Sequence, residues 1–212
     1  MDHGPVKKIA DWQPYVARAF SFSAFPRPGV VLDLGCGSGH ELAELEQRGH
    51  AAFGIDVDHR SLMECRSRGM RVLKAFAEDL PVRTSSLDGL VCKVVIPLTV
   101  EHRAIGEIGR VLKAGGRGHL SVHGAGYSLR YLLGAPTWPL RFYGLRTLVN
   151  TWVYATTGWR LPGFLGDTLY QSERRLDRYY RKNKLRLWER TPSPKFLGLP
   201  VFIYHTVEKV SA

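Results

Sequence analysis

Four residues between positions 33 and 39 have the types and spacing of a cofactor-binding turn. Asp33 closes a short apolar run that begins at Val30, and Gly35, Gly37 and Gly39 alternate directly after it. Glycine in a turn between a strand and a helix lets a ligand approach the backbone, where side chains would otherwise block it. The acid at the end of the strand faces the same ligand. The sequence therefore predicts a nucleoside-cofactor site at this turn.

The spacing of these glycines differs from the dinucleotide-binding fingerprint, G-x-G-x-x-G. The position that this fingerprint requires as glycine is His40. Asp33 would also face a pyrophosphate at short range, where the two negative charges repel each other. A carboxylate at this position suits a cationic group, such as the ammonium of an amino acid.

A second acid, Asp56, ends the next predicted strand, 21 residues after Gly35. A carboxylate at the tip of this strand can accept hydrogen bonds from both hydroxyls of a ribose. The alternative is that Asp56 caps the helix that begins near His59.

The pattern D-x-G-x-G-x-G over residues 33–39 resembles motif I of the class I S-adenosylmethionine-dependent methyltransferases, and most closely their type 11 group. The resemblance implies S-adenosyl-L-methionine as the cofactor and Asp33 as the partner of its ammonium. It implies that the turn lies against the methionine part of the cofactor and that the tip of the second strand lies at the ribose. The implied contacts at these two places are Gly35, Cys36, Gly37, Gly39, Asp56 and Val57.

Residues 75–81 resemble the adenine-binding segment of this family, which usually reads G-D-A-x-x-L-P. Phe76 stands where an acid commonly accepts the adenine amino proton. We expect Phe76 to stack on the adenine and the Ala77 amide to bond its ring, unless Phe76 packs in the core instead. Lys93 is unusual in an apolar strand; it either pairs with the cofactor carboxylate or extends to solvent.

The elements alternate between strand and helix patterns, which predicts a doubly wound, Rossmann-like α/β sheet. The resemblance implies seven strands, the last antiparallel, with a helical insertion between strands five and six. We predict a single methyltransferase domain: an N-terminal helix (1–27), a cofactor-binding core (28–123), an acceptor or lid insertion (124–168), and a closing helix with two strands (169–212). Within the first of these, the helix pattern covers residues 5–22.

Methyl transfer from a sulfonium mainly requires that the acceptor and the methyl group be aligned. A general base is needed only where the acceptor must lose a proton. The candidates are His123 at the end of strand five, and Glu101 and His102 just after strand four. His123 is the best placed, although a histidine that ends a strand is more often a hydrogen-bonded loop residue.

The composition bears on the cellular location of the chain and on its binding partners. It has 212 residues, and its three cysteines show neither metal nor disulfide spacing, so we expect no metal and a cytoplasmic location. No secretion signal or long apolar run is apparent. The net charge of +11 is concentrated in residues 129–212, which hold 14 Lys and Arg against 5 Asp and Glu. This asymmetry predicts an anionic partner.

Residues 138–154 are rich in aromatic and aliphatic side chains, with Arg130, Arg141, Arg146 and Arg160 among or beside them. This pattern fits either a buried lid helix or a surface for an amphipathic, anionic acceptor or an anionic membrane. We predict methyl transfer to a small-molecule or lipid-like acceptor, with possible peripheral contact to the membrane. The composition does not indicate an oligomeric state.

Nucleic acid is an unlikely acceptor by sequence, because residues 92–98 lack the base-holding motif of exocyclic-amine methyltransferases. Two alternatives stay open. One is an RNA-binding methyltransferase that uses the basic C-terminal part. The other is a non-catalytic protein of the same fold with a partner role.

Overall fold

The computed structural model describes residues 20–211. Seven strands form the main sheet: β1 (Val30–Leu34), β2 (Ala51–Asp56), β3 (Val72–Lys74), β4 (Leu87–Lys93), β5 (Leu112–His123), β6 (Leu185–Thr191) and β9 (Phe202–Lys209). Two short strands, β7 (Lys195–Phe196) and β8 (Leu199–Pro200), form a separate hairpin. The helix predicted over residues 5–22 falls almost entirely outside the described residues, and its last three positions are not helical.

The strand order is β3-β2-β1-β4-β5-β9-β6. β1 to β5 run parallel, whereas β9 is antiparallel to both β5 and β6. The chain reverses its direction of winding between β1 and β4, so the carboxyl ends of these two strands flank a crevice. The predicted doubly wound sheet with an antiparallel last strand is confirmed.

Residues 20–211 contain six α-helices: α1 (His40–Gln47), α2 (His59–Ser67), α3 (Glu101–Val111), α4 (Ala125–Gly134), α5 (Trp138–Thr157) and α6 (Glu173–Lys182). Apolar side chains of α1, α2 and α4 build the core on one face of the sheet, and those of α3 and α6 build the core on the other. Single-turn 3₁₀ helices occur at Ile96–Leu98 and Gly163–Gly166.

Two elements begin at other residues than the sequence pattern predicts. The pattern predicts that strand five begins at Arg117, but β5 begins at Leu112, which already pairs with Leu87 before a register shift. The pattern predicts that the closing helix begins at Leu169, but α6 begins at Glu173, because Ser172 caps it by accepting from the Arg175 amide. The β7–β8 hairpin in the proline-rich turn was not predicted.

Residues 169–171 are extended and lie across the carboxyl end of the sheet. The Leu169 amide donates to the Pro97 carbonyl at 2.9 Å, and the Gln171 amide donates to the His123 carbonyl at 2.7 Å. These bonds replace the helical turn that the sequence pattern predicted there. They place the segment that follows α5 directly over the ends of β4 and β5.

Candidate active site

The three alternating glycines adopt a backbone that disfavours other residues. Gly35, Gly37 and Gly39 have φ angles of +75°, +49° and +83°, in the left-handed region where a side chain causes strain. The Gly35 amide donates to the Ile55 carbonyl at 2.7 Å, which ties the turn to the end of β2. The turn therefore leaves β1 and enters α1 along the edge of the sheet.

The space around each glycine differs. A Cβ on Gly35 would lie 2.1 Å from a methyl of Val95, and one on Gly39 would lie 2.6 Å from the Met70 sulfur. A Cβ on Gly37 would meet nothing within 4 Å. The turn is thus closely packed at Gly35 and Gly39, whereas the backbone at Gly37 is open to a ligand.

Asp33 lies beneath this turn and is only 2% exposed. Its Oδ2 has no hydrogen-bond partner within the described part of the chain. Burial, followed by the negative charge of Glu41, raises the pKa of Asp33 to about 7, against the opposing charge of Lys93. A buried carboxylate with an unpaired oxygen fits a cationic ligand group, because an ammonium would supply the missing charge and donors.

Asp56 connects the tip of β2 to the glycine turn. Its Oδ2 accepts from the Gly37 amide at 2.8 Å, and its Oδ1 accepts from the Asp58 amide at 2.9 Å. The cap of α2 is Asp58, which accepts from the Arg60 and Ser61 amides, so the capping alternative for Asp56 does not hold. Each carboxylate oxygen of Asp56 retains a lone pair for another donor, such as a ribose hydroxyl.

Phe76 projects from the sheet edge with 68% of its surface exposed. The alternative that it packs in the core is therefore wrong. The neighbouring Ala77 is buried, and its side chain belongs to the core cluster beneath α3. An exposed ring beside the tip of β2 is free to stack on a planar ligand group.

Lys93, at the end of β4, forms an ion pair with Glu41 on α1. Its ammonium also lies 5.5 Å from the centroid of the Phe22 ring. The pair bridges β4 and α1 across the mouth of the glycine turn, above Asp33. A ligand carboxylate at this position would compete with Glu41 for the lysine.

A cavity of about 420 Å³ joins most of these groups. Of the predicted cofactor residues, Gly35, Asp56, Val57, Phe76, Ala77 and Lys93 line it. Asp33, Cys36, Gly37 and Gly39 are not part of this lining. The remaining lining residues, which were not predicted, are Leu34, Ile55, Ala75, Glu78, Val94, Val95, Leu98 and Thr99.

Val94 is the most informative of the residues that the prediction missed. Its φ angle is +60°, which is a strained conformation for a β-branched side chain. Its amide donates to the Ser121 carbonyl of β5 at 2.8 Å, and this bond helps to hold the backbone there. The bend turns the chain from β4 into the 3₁₀ helix at Ile96–Leu98, whose Leu98 lines the cavity.

The three candidate bases lie outside the cavity lining. His123 is buried and stacks on Tyr127 with ring centroids 3.8 Å apart. Burial lowers the pKa of His123 to about 3, so its imidazole is neutral. Its Nδ1 has no partner among the described residues. Its ring also lies 5.7 Å from that of Phe202, and only 8% of the residue is exposed, so contact with an acceptor requires the surrounding side chains to move.

Glu101 and His102 occupy different environments although they are adjacent. Glu101 is fully buried, and its Oε1 accepts from Gln171 at 2.6 Å and from Arg175 at 3.0 Å. His102 is exposed on α3, with its ring 6.4 Å from that of Tyr179. The structure therefore does not bring the three candidate bases together.

Residues 20–211 contain no cluster of three or more His, Cys, Asp or Glu side chains that could hold a metal ion. A second cavity, of about 280 Å³, lies at the amino ends of β1, β4 and β5, beside Phe25 and Lys113. It is at the opposite edge of the sheet from the glycine turn. In the same part of the chain, none of the helices has the length and apolarity needed to cross a membrane.

Comparison with known proteins identifies the class. Residues 32–120 match a family model described as a methyltransferase domain. A tRNA (carboxymethyluridine(34)-5-O)-methyltransferase of Arabidopsis thaliana is 36% identical over 120 residues, which cover 54% of this chain and 28% of that protein. The chain thus matches less than a third of the length of this relative.

Solved structures show the same fold over a larger share of the chain. An S-adenosylmethionine-dependent methyltransferase of Methanosarcina mazei has a TM-score of 0.64 at 20% identity, covering 89% of this chain and 95% of that one. The 1,6-didemethyltoxoflavin-N1-methyltransferase of Burkholderia thailandensis, solved with S-adenosylhomocysteine bound, has a TM-score of 0.56 at 18% identity and covers 87% and 72%.

The methyltransferase-domain match over residues 32–120 and the shared fold confirm the predicted resemblance to the class I S-adenosylmethionine-dependent methyltransferases. S-adenosyl-L-methionine is the cofactor of this class, and an enzyme rather than a non-catalytic partner protein is supported. The unpaired Asp33 oxygen, the open backbone at Gly37, the Asp56 carboxylate and the exposed Phe76 ring are compatible with that cofactor.

Proposed function

We propose that this chain transfers the methyl group of S-adenosyl-L-methionine to a small, amphipathic and anionic acceptor of lipid-like character. The bound cofactor supplies an activated methyl group on its sulfonium, so the residues of the chain mainly bind and orient. Asp33 would hold the ammonium and Asp56 the ribose. Phe76 would stack on the adenine, and Lys93 would hold the carboxylate once it leaves Glu41.

The acceptor class is inferred from the part of the cavity wall that Leu98 and Thr99 form. Leu98 is exposed there, although it is apolar. The guanidinium of Arg160, from the segment after α5, hydrogen-bonds the carbonyl of Thr99 beside it. An apolar surface next to a cation fits an acceptor that has an apolar body and an anionic group.

A base is required only for an acceptor that loses a proton, and we keep His123 as the candidate. Its neutral imidazole has an unpartnered Nδ1 that could accept a hydrogen bond from a hydroxyl or amine. We expect His123→Gln to lower turnover at least about tenfold, with no change in cofactor affinity. Unchanged turnover and an unchanged pH profile would show that His123 is not the base.

A second candidate function is methylation of tRNA. The relative from Arabidopsis thaliana, which is 36% identical over 120 residues, is named as a tRNA methyltransferase. The excess of positive charge in residues 129–212 would also suit an RNA backbone. Against it stands the absence of a base-holding motif at the end of β4.

The two candidates are separated by following the methyl label. The purified protein is incubated with cell extract and methyl-labelled cofactor, and the extract is then divided into organic-soluble, small polar and RNA fractions. Label in the organic-soluble fraction supports the lipid-like acceptor, and label in RNA supports the tRNA reading. Asp33→Asn is the negative control. A cytoplasmic location with peripheral contact to an anionic membrane accords with the first outcome.

A further inference from the structure

The helix α5 packs Leu140 and Tyr143 against the core, but it also buries several polar side chains and exposes several apolar ones. The residues that it buries against the rest of the domain are Gly144, Arg146, Thr147, Asn150 and Thr151. Its exposed side carries Trp138, Leu145, Val149 and Trp152, which we call the α5 outer face. Trp138 and Trp152 are 72% and 67% exposed. Helices at the surface of water-soluble domains normally bury their apolar side and expose their polar side.

The four residues of the α5 outer face form one continuous stripe. They are separated by seven, four and three positions, so all of them lie on one side of a helix with 3.6 residues per turn. At 1.5 Å per residue the stripe is about 21 Å long. An exposed apolar stripe of this length indicates a binding surface.

Specific bonds hold the polar side of α5 inward. Arg146 forms a bidentate ion pair with Asp167, at 2.6 and 3.1 Å. Asn150 donates to the Thr168 carbonyl at 2.9 Å and accepts from the Leu161 amide at 3.0 Å. Rotation of α5 to bury its tryptophans would break these bonds.

A close contact between α5 and α4 fixes α5 in the same orientation. Gly144 faces α4 at a distance that leaves no space for a side chain, because an added Cβ would lie 2.5 Å from the Ser128 carbonyl oxygen. The α5 outer face is therefore turned away from the domain by the packing of the opposite side.

The charged residues of α5 itself are all basic. No acidic residue lies between Glu107 and Asp167 in the sequence. Arg141, which is exposed, follows Trp138 by one turn on the same side of α5. Trp159 and Phe164, in the segment after α5, are also strongly exposed. Tryptophan and arginine around an apolar centre, without acids, match the interface of a bilayer with anionic headgroups.

We propose that the α5 outer face docks on the surface of an anionic lipid bilayer, with the helix axis parallel to the membrane plane. The tryptophan rings would lie at the level of the headgroups, and Arg141 would contact lipid phosphates. This proposal rests on the proposed function and extends it, because it makes the bilayer the source of the lipid-like acceptor. The segment after α5, which carries Arg160 to the cavity wall, would then join the membrane surface to the cofactor site.

Vesicle binding tests this proposal. The wild-type protein is sedimented with vesicles of phosphatidylcholine and with vesicles that contain 30% phosphatidylglycerol (roughly the anionic fraction that attracts basic surfaces), at low salt. We expect binding to the anionic vesicles and a blue shift of tryptophan fluorescence. The double variant Trp138→Ala/Trp152→Ala should lose at least about tenfold in vesicle affinity.

Trp188→Ala is the matched control. Trp188 is 49% exposed but lies on β6, where the guanidinium groups of Arg117 and Arg186 cover its ring. This variant should bind vesicles as the wild type does. Calorimetry with S-adenosylhomocysteine should give the same affinity for all three proteins, which shows that the variants are folded.

Two outcomes would overturn the proposal. The first is that the wild-type protein does not bind anionic vesicles at low salt. The second is that it forms a dimer that the double variant does not form, without binding vesicles, which would make the face an interface between copies of this chain. Vesicle binding with methyl label in RNA would instead refute the lipid-like acceptor and leave the docking surface intact.

Discussion

At the scale of single residues, the fold opposes the ionisation of Asp33. The carboxyl group is buried, lies near Glu41 and has one unpaired oxygen. Its folded pKa of about 7 lies above the value of 3.8 for an unburied aspartate. The folded state therefore binds an additional proton between these values, and the stability of the cofactor-free protein falls as the pH rises from about 4 to about 7.

Asp33→Asn removes the energetic cost of ionising a buried carboxyl group. It also removes the proposed partner of the cofactor's ammonium group. We expect the variant to be more stable than the wild type at pH 8, by about 2 kcal/mol. It should bind S-adenosylmethionine at least ~30-fold more weakly, because a buried charge would lose its partner. Thermal unfolding and calorimetry measure the two effects. Wild-type affinity should also weaken below pH 7, where the cofactor must displace a proton, and this dependence should be absent in the variant.

Unchanged cofactor affinity in Asp33→Asn, or an identical pH dependence in both proteins, would contradict the assigned role. Asp58→Asn serves as a comparison, since this exposed acid caps α2 without lining the cavity. It should leave the melting temperature almost unchanged, because asparagine also caps helices well. Cofactor affinity should be unaffected.

Phe76 allows a second residue-scale prediction. Phe76→Ala should weaken binding of S-adenosylhomocysteine by roughly three- to tenfold, the range that a stacked aromatic pair contributes. The melting temperature should scarcely change, because the ring is mostly exposed. Phe76→Tyr keeps the ring and should bind as the wild type does. Equal affinities of the alanine and tyrosine variants would exclude stacking.

The glycine turn and its two acids could be predicted because each depends on a few consecutive residues. The left-handed backbone of Gly35 and the strand-end positions of Asp33 and Asp56 follow from local sequence. The pairing of Lys93 with Glu41 could not be predicted, since it joins residues 52 positions apart. The strain at Val94 has no sequence signal, because it arises where β4 meets β5.

At the scale of elements, α5 shows the limit of sequence patterns. The crowding of aromatic residues over positions 138–154 predicted either a buried helix or a binding surface. In the structure α5 is only partly buried: it buries several polar side chains and leaves several large apolar ones exposed. Periodicity identifies the two sides of a helix but assigns the apolar one to the core. The bonds of Arg146 and Asn150 to the following segment determine the orientation here.

Asn150→Ala tests this arrangement. It leaves the Thr168 carbonyl and the Leu161 amide without partners, so we expect a loss of about 1–3 kcal/mol in the free energy of unfolding. Urea denaturation measures it. Thr156→Ala is the control, because that exposed hydroxyl bonds only carbonyls of its own helix. A loss no larger than that of the control would mean that Asn150 does not hold α5 in place.

At the scale of the whole molecule, the residues of the candidate cofactor cavity and most of the excess basic residues belong to different parts of the chain. Residues 34–99 supply the whole lining of the cavity, whereas the excess of positive charge falls in residues 129–212. The alternation of elements predicted the parallel sheet, and its last strand followed from the family pattern. The meeting of the two parts at Arg160 and Thr99 could not be predicted, because they lie 61 residues apart.

This separation predicts different responses to salt. S-adenosylhomocysteine binds as a zwitterion through short contacts in the cavity, so its dissociation constant should change less than about threefold between 50 and 500 mM NaCl. Association with an anionic surface depends on exposed arginines and lysines and should weaken more than about tenfold over the same range. Calorimetry and vesicle or RNA sedimentation at matched salt measure the two responses. A parallel fall in cofactor affinity and surface binding would mean that the basic part of the chain contributes directly to the cofactor site. That result would contradict the assignment of cofactor binding to residues 34–99 and of surface binding to residues 129–212.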